Sequence, residues 1–324
     1  MKNFYALLVL MLLFISCNEG TPTKYVPDSV GGMNSLSVIM EDELWKSEVG
    51  DEVRKHFAAS LNGLAFDEPL FNINQMNNSV FTGFARTSRN ILIIRKSSET
   101  GTSIKDSLYA KPQKVLLIQA PDEAELVSLI NKKADDFIKE LKQHEIEENQ
   151  RRIKLSINKD KTLKDSLGIS LNMSSVYKIY GYENSFFWIE KQIQKGTMNI
   201  LVYEMPINSI PNDSTRVDAI IRMRDSIGEK HVHGRKEGMY MITEQTLAPY
   251  VLEAKIAGNN AIETRGRWEM KNDMMAGPFL NYIVEDKKNN RLLVIEGFIF
   301  APSTNKRDFL FELEAILKSL KIEG

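Results

Sequence analysis

Three times along this chain an apolar, strand-like run stops at a proline and a helix-like segment follows. The passages are VLLIQAP-DEAEL (115–126), NILVYEMP before STRVDAII (199–206 and 214–221), and LLVIEGFIFAP-STNKRDFLFELEAIL (292–317). Proline withholds a ladder donor and ends a strand, while an Asp, Ser or Thr just beyond it can accept from the free N–H groups of a helix start. Shorter runs between these passages, such as FNINQM (71–76), VFTGFAR (80–86), VYKIYGY (176–182) and FFWIEKQI (186–193), read as strands separated by turn residues. The predicted fold class is therefore α+β, with mostly antiparallel sheets, helices packed on one face, and internally repeated strand–proline–helix units.

The core of such a fold must hold by packing alone, because Cys17 is the only cysteine. Its position is informative. Lys2 is followed by an apolar run from Tyr5 to Ile15, far short of the roughly 20 residues that span a bilayer, so the stretch reads as the hydrophobic part of a secretory signal. Small Ser16 then precedes Cys17, which resembles a bacterial lipoprotein signal, although Phe14 stands where leucine is usual. Residues 1–16 are read as a signal peptide. Residues 17–35, rich in Thr, Pro, Gly, Asn and Ser, are read as a lipidated cysteine and flexible tether. Residues 36–324 are read as the α+β domain, with a break near 145–168. Such an anchor carries a diacylglyceryl group and an N-acyl chain, and two or more chains hold a protein durably on a membrane. Asn18 in place of aspartate favours the outer membrane, and the lack of an acidic run after Cys17 favours its periplasmic side.

The totals narrow the function. Forty-two basic and 43 acidic residues leave a net charge of −1, so there is no cationic excess to neutralise a nucleic-acid backbone. The charged segment HEIEENQRRIK (144–154) reads as a solvated extension of the helix after Asp122.

The stretches LWKSEVGDEVRKHF, AFDEPLFNI, YAKPQKVLLIQAP, YMITE, RGRWEMKNDMMAGPFLNY and EGFIFAPSTNKRDFLFELEAIL together resemble the lipoproteins grouped as domain of unknown function 4837. The resemblance spans about residues 36–322. It implies a lipoprotein of the Gram-negative envelope with no assigned activity, so it brings no site residues with it.

Motifs for nucleophilic serine, phosphate-binding loop, dinucleotide or zinc-protease chemistry are missing from the sequence. Of the four histidines, His231 and His233 form an H-x-H, but the basic, glycine-flanked GEKHVHGRKEG around them opposes a bound cation. No catalytic residue, metal site or cofactor is expected. In RGRWEMK, Arg265 and Arg267 fall on one strand face and Trp268 on the other. Two readings follow: a core tryptophan with solvated charges, or a groove for an anionic ligand or partner at Arg265, Arg267 and Trp268.

The function expected is a non-catalytic envelope lipoprotein that binds a protein partner or supports an assembly, held to the membrane by lipid. The alternatives are a ligand- or glycan-binding lipoprotein using aromatics such as Tyr180, Tyr182, Phe186, Phe187 and Trp188, or an envelope hydrolase using a carboxylate pair such as Asp67/Glu68 or Asp135/Asp136. Replacing Cys17 with Ser is expected to release the protein from the membrane fraction. A Cys17→Ser variant that still pellets wholly with membranes would refute the anchor.

Overall fold

The computed structural model describes residues 25–64, 67–183 and 185–323, so the signal segment and Cys17 lie outside the described residues. In chain order the elements are β1 (Ser35–Ile39), α1 (Asp42–Lys46), α2 (Glu48–Phe57), β2 (Asn72–Met76), β3 (Asn90–Lys96), β4 (Gly101–Asp106), β5 (Lys114–Ala120) and α3 (Glu123–Ile153). They continue with α4 (Thr162–Leu167), β6 (Ile169–Ser170), β7 (Lys178–Glu183), β8 (Phe186–Ile193), β9 (Gly196–Pro206), α5 (Arg216–His231), β10 (Met241–Thr243), β11 (Tyr250–Ile256) and β12 (Asn259–Met270). The chain ends with β13 (Ala276–Asp286), β14 (Arg291–Phe300), α6 (Arg307–Leu317) and β15 (Lys321–Ile322). The architecture is α+β. VFTGFAR, expected as a strand, forms 3-10 turns over Asn78–Val80 and Gly83–Thr87 instead.

The first half builds a five-stranded sheet in the order β2-β1-β3-β5-β4. Its inner strands run parallel, and only the edge strand β4 is antiparallel. Helices α1 and α2 return the chain to the same end before β2, which is what parallel pairing requires. Val53 and Phe57 of α2 and Leu126, Ile130 and Phe137 of α3 pack on Leu36, Val38, Leu92 and Leu116 of the sheet. Helices α1 and α2 are separated at Ser47, whose hydroxyl accepts from the Val49 N–H at 3.3 Å. Gly50 is required there: a Cβ on it would sit 2.0 Å from the Trp45 carbonyl oxygen.

The second half builds an antiparallel sheet in the order β10-β12-β13-β14-β9-β8-β7, with β11 also paired to β12. Side chains alternate along β13. Leu280, Tyr282 and Val284 meet Leu313 and Ile316 of α6, whereas Phe279 and Ile283 meet Ile220 and Met223 of α5. This corrects the expectation of helices on one face. Both alternating sets of β13 and β14 are apolar, so each face needs a cover. Internal repetition is not found either. The strand–proline–helix passages deliver α3 to a parallel sheet, and α5 and α6 to opposite faces of an antiparallel one.

Two segments expected in solvent are packed. Residues 28–34 lie along the first sheet, with the Ser29 and Val30 N–H groups donating to the Lys111 and Thr87 carbonyls at 3.1 and 2.8 Å. The charged end of α3 is largely buried: His144, Glu145, Ile146, Glu148 and Asn149 all lie in the interior, His144 bonding Asn90 at 2.9 Å. Ile146 packs on Phe311 and Ala315 of α6, and the Gln150 amide donates to the Ala315 carbonyl at 2.9 Å. Glu145 accepts from Arg89 at 2.7 Å, from the Asn90 amide at 2.6 Å and from the Asn34 N–H at 3.1 Å.

Helix α6 has no capping side chain of its own. Its first N–H groups donate to Glu68 of the first half, from Lys306 at 2.8 Å and from Arg307 at 2.8 Å. Glu68→Ala would leave those buried donors unmet. It is expected to lower stability by about 1–3 kcal/mol in chemical denaturation. An unchanged midpoint would show that Glu68 does not serve as the cap.

Candidate functional site

Strand β12 places the residues singled out from sequence on two faces. Trp268 is 1% exposed, stands edge-on to Phe298 at 5.6 Å between ring centroids, and donates its indole N–H to the Ile299 carbonyl at 3.2 Å. Gly277 opposite it admits that backbone, since a Cβ there would lie 2.0 Å from the Ile299 oxygen. Trp268 is thus a core residue. On the other face Arg265 is buried beneath α6, donating to Glu263 at 2.5 Å and to Glu314 at 2.8 Å. Arg267 reaches the sheet margin, where it pairs with Glu244 at 2.9 Å. The structure does not unite Arg265, Arg267 and Trp268 in one groove, and Arg265 is not a solvated charge, because α6 lies over that part of the face.

Burial would push the Glu314 carboxyl up, but the charges of Arg265, Lys318 and Lys142 outweigh it and hold the group well below the usual carboxylate range. Burial would likewise weaken the Arg265 guanidinium, yet the Glu314 and Glu263 charges keep it more firmly protonated than a free arginine.

The aromatic set is also divided. Phe186 and Phe187 are buried, and a bulge between Ile179 and Gly181 sends the two exposed tyrosines to opposite faces. Tyr180 lies against Trp188 at 4.9 Å and Tyr182 stacks on Phe187 at 4.5 Å, so no single platform forms. Of the carboxylate pairs, Glu68 caps α6, and Asp135 and Asp136 are exposed neighbours on α3. His231 stacks on Phe186 at 4.0 Å while the His233 ring bonds the Glu229 carbonyl at 2.9 Å, so the two imidazoles do not converge. Among the described residues no group of His, Cys, Asp and Glu could hold a metal ion.

An open groove of about 880 Å³ lies where α5 runs beside β10 and the end of β12. Helix α5 contributes Arg222, Asp225 and Glu229, Tyr240 stands just before β10, β12 contributes Glu269, and the turn after β12 contributes Lys271 and Met274. The Lys271 ammonium lies 4.6 Å from the Tyr240 ring centre and donates to its hydroxyl at 2.5 Å. Asp225 is held in place by the Thr243 N–H at 2.7 Å. Met274 is wholly exposed, at 100%, and the buried Met270 also lines the groove. Thioether side chains adapt to differently shaped partners, which suits a contact surface better than a tight pocket. The sequence signal was present in the methionine-rich turn EMKNDMM, but the groove also needs α5, which is distant in sequence.

The fold and site define an α+β protein of two interlocked halves with an open, mixed-charge groove. The chain belongs to the family described as Domain of unknown function (DUF4837), whose model matches residues 156–319. A second model, Domain of unknown function (DUF8532), matches residues 29–154, so the stretches LWKSEVGDEVRKHF, AFDEPLFNI and YAKPQKVLLIQAP fall under it. The two matches meet at the end of α3. No curated protein matches the chain.

Two outcomes are expected. Trp268→Ala should cost about 3–5 kcal/mol in chemical denaturation, the range for emptying a packed aromatic site. Because the folded Glu314 carboxyl is depressed, its stabilising contribution is complete above the ordinary value of 4.5 and is lost as pH falls below that value. Melting temperature should therefore drop on that acid limb, and Glu314→Gln should flatten part of the drop. An acid limb of the same slope in the variant would contradict the assignment.

Proposed function

We propose that this is a non-catalytic lipoprotein of the cell envelope, anchored through Cys17 at the outer membrane and facing the periplasm. Its folded part docks a protein partner in the groove between α5 and the end of β12. The observation that carries this reading is the groove itself, open over about 880 Å³ and rimmed by both charge signs and a fully exposed methionine. Mixed charges around such an opening select a partner by complementarity.

The test is crosslinking from intact envelopes, comparing the natural chain with a Lys271→Glu, Met274→Asp double variant. Both positions are exposed, so the melting temperature should stay within about 2 °C, as expected for changes within about 0.5 kcal/mol. The crosslinked product should disappear. Recovery of the same product at the same yield would sink the groove as the docking surface.

A further inference from the structure

Helix α3 and the margin of β12 enclose a second concavity, a cleft of about 360 Å³ between the two halves, apart from the α5 groove. Its charged lining comprises Lys139 and Lys142 from α3, Glu263 and Arg265 from β12, and Glu314 and Lys318 from the C-terminal helix and its end, with the exposed Asp135 also on its wall. The inner carboxylates are engaged. Glu263 accepts from Arg265 at 2.5 Å and from the Tyr282 hydroxyl at 2.9 Å, and Glu314 accepts from Arg265 at 2.8 Å and from Lys318 at 2.7 Å.

Two donors are left over. Lys142 is partly buried and pairs with no carboxylate among the described residues, and Nη1 of Arg265 is buried with no hydrogen-bond partner. Burial pushes the Lys142 ammonium below its usual value. Attraction to Glu314 offsets part of this, while Arg265 and Lys318 add to it. A buried cation and a buried N–H that lack partners both cost stability. The residues that carry them line the same cavity, whose inner carboxylates are already taken.

We propose that the cleft binds an oxyanion group, a phosphate or carboxylate on a small ligand, with Lys142 as its point charge and Arg265 as its directional donor. An arginine that already holds two carboxylates cannot turn away, so its remaining N–H is fixed in place. Lysine supplies charge with little demand on direction. Bridging α3 and β12, the bound group ties the two halves together. This site stands independently of the partner groove, because none of its residues belongs to that groove.

The full chain in detergent is titrated with inorganic phosphate, succinate or a short-chain soluble phosphatidic acid, each against chloride at equal ionic strength. Calorimetric heat and melting temperature are followed. At least one probe should bind saturably and raise the melting temperature. Phosphate alone points to a free ion, succinate to a carboxylate ligand, and phosphatidic acid alone to a lipid headgroup. Lys142→Met should weaken binding at least tenfold while melting, without ligand, no lower than the natural chain. Lys142→Arg should keep most of the affinity. Three results would overturn the proposal: no saturable response to any probe, unchanged affinity in Lys142→Met, or a ligand-free Lys142→Met that melts well below the natural chain.

Discussion

The first N–H groups of the C-terminal helix have no cap within their own half, and a glutamate some 240 positions earlier in the chain closes them. A helix start carries about half a positive charge and several unmet donors, so a carboxylate placed there is favourable twice over, as a hydrogen-bond acceptor and as a counter-charge. Glu68 does this across the contact between the halves. Beside it, Arg307 donates to the Pro69 carbonyl at 2.9 Å and to Asn72 at 3.1 Å. With α6 held there, Leu313 and Ile316 cover the sheet and Glu314 meets Arg265.

Charged pairs are buried along with the apolar core. Arg89 with Glu145 and Arg224 with Glu296 are pairs at 2.7 Å, with 2% or less of any side chain exposed. Arg224 also lies 3.3 Å from the centre of the Phe279 ring, which accepts the cation on its face. Buried pairs of this kind give up hydration for their mutual attraction, so their net contribution is small, but removing one partner costs far more. Their effect is selective. Apolar surfaces tolerate sliding, whereas paired charges with further hydrogen bonds fit one arrangement of helix on sheet.

That economy of charge separates structure from function. Arginines and glutamates inside the protein are mostly matched with each other, and such matched groups have little left to offer a ligand. Two places keep something to offer: the α5 groove, whose rim stays open to solvent, and the cleft at Lys142, where cations outnumber the free anions. Both sit where elements distant in sequence converge.

The sequence by itself determined the elements. The proline stops, the Asp122 cap and the apolar stripes of α3 and α6 were legible because capping and amphipathic spacing are local properties, and the period-2 alternation in RGRWEM put Trp268 and the arginines on opposite faces. It also singled out Cys17 as the only cysteine. What it could not determine was which charges face water. HEIEENQRRIK carries the composition of a solvated helix face, and only tertiary packing makes it interior, with Glu145 on Arg89, Asn90 and Asn34 and Ile146 on α6. Arg265 reads the same as Arg267 in the strand, yet one lies beneath a helix and the other at a margin. Parallel pairing in the first sheet and the second helix-covered face of the larger one were equally hidden, because both depend on where a connection returns the chain. Tertiary structure decided these points for one physical reason: burial belongs to a residue's neighbours, and those neighbours come from elements distant in the chain.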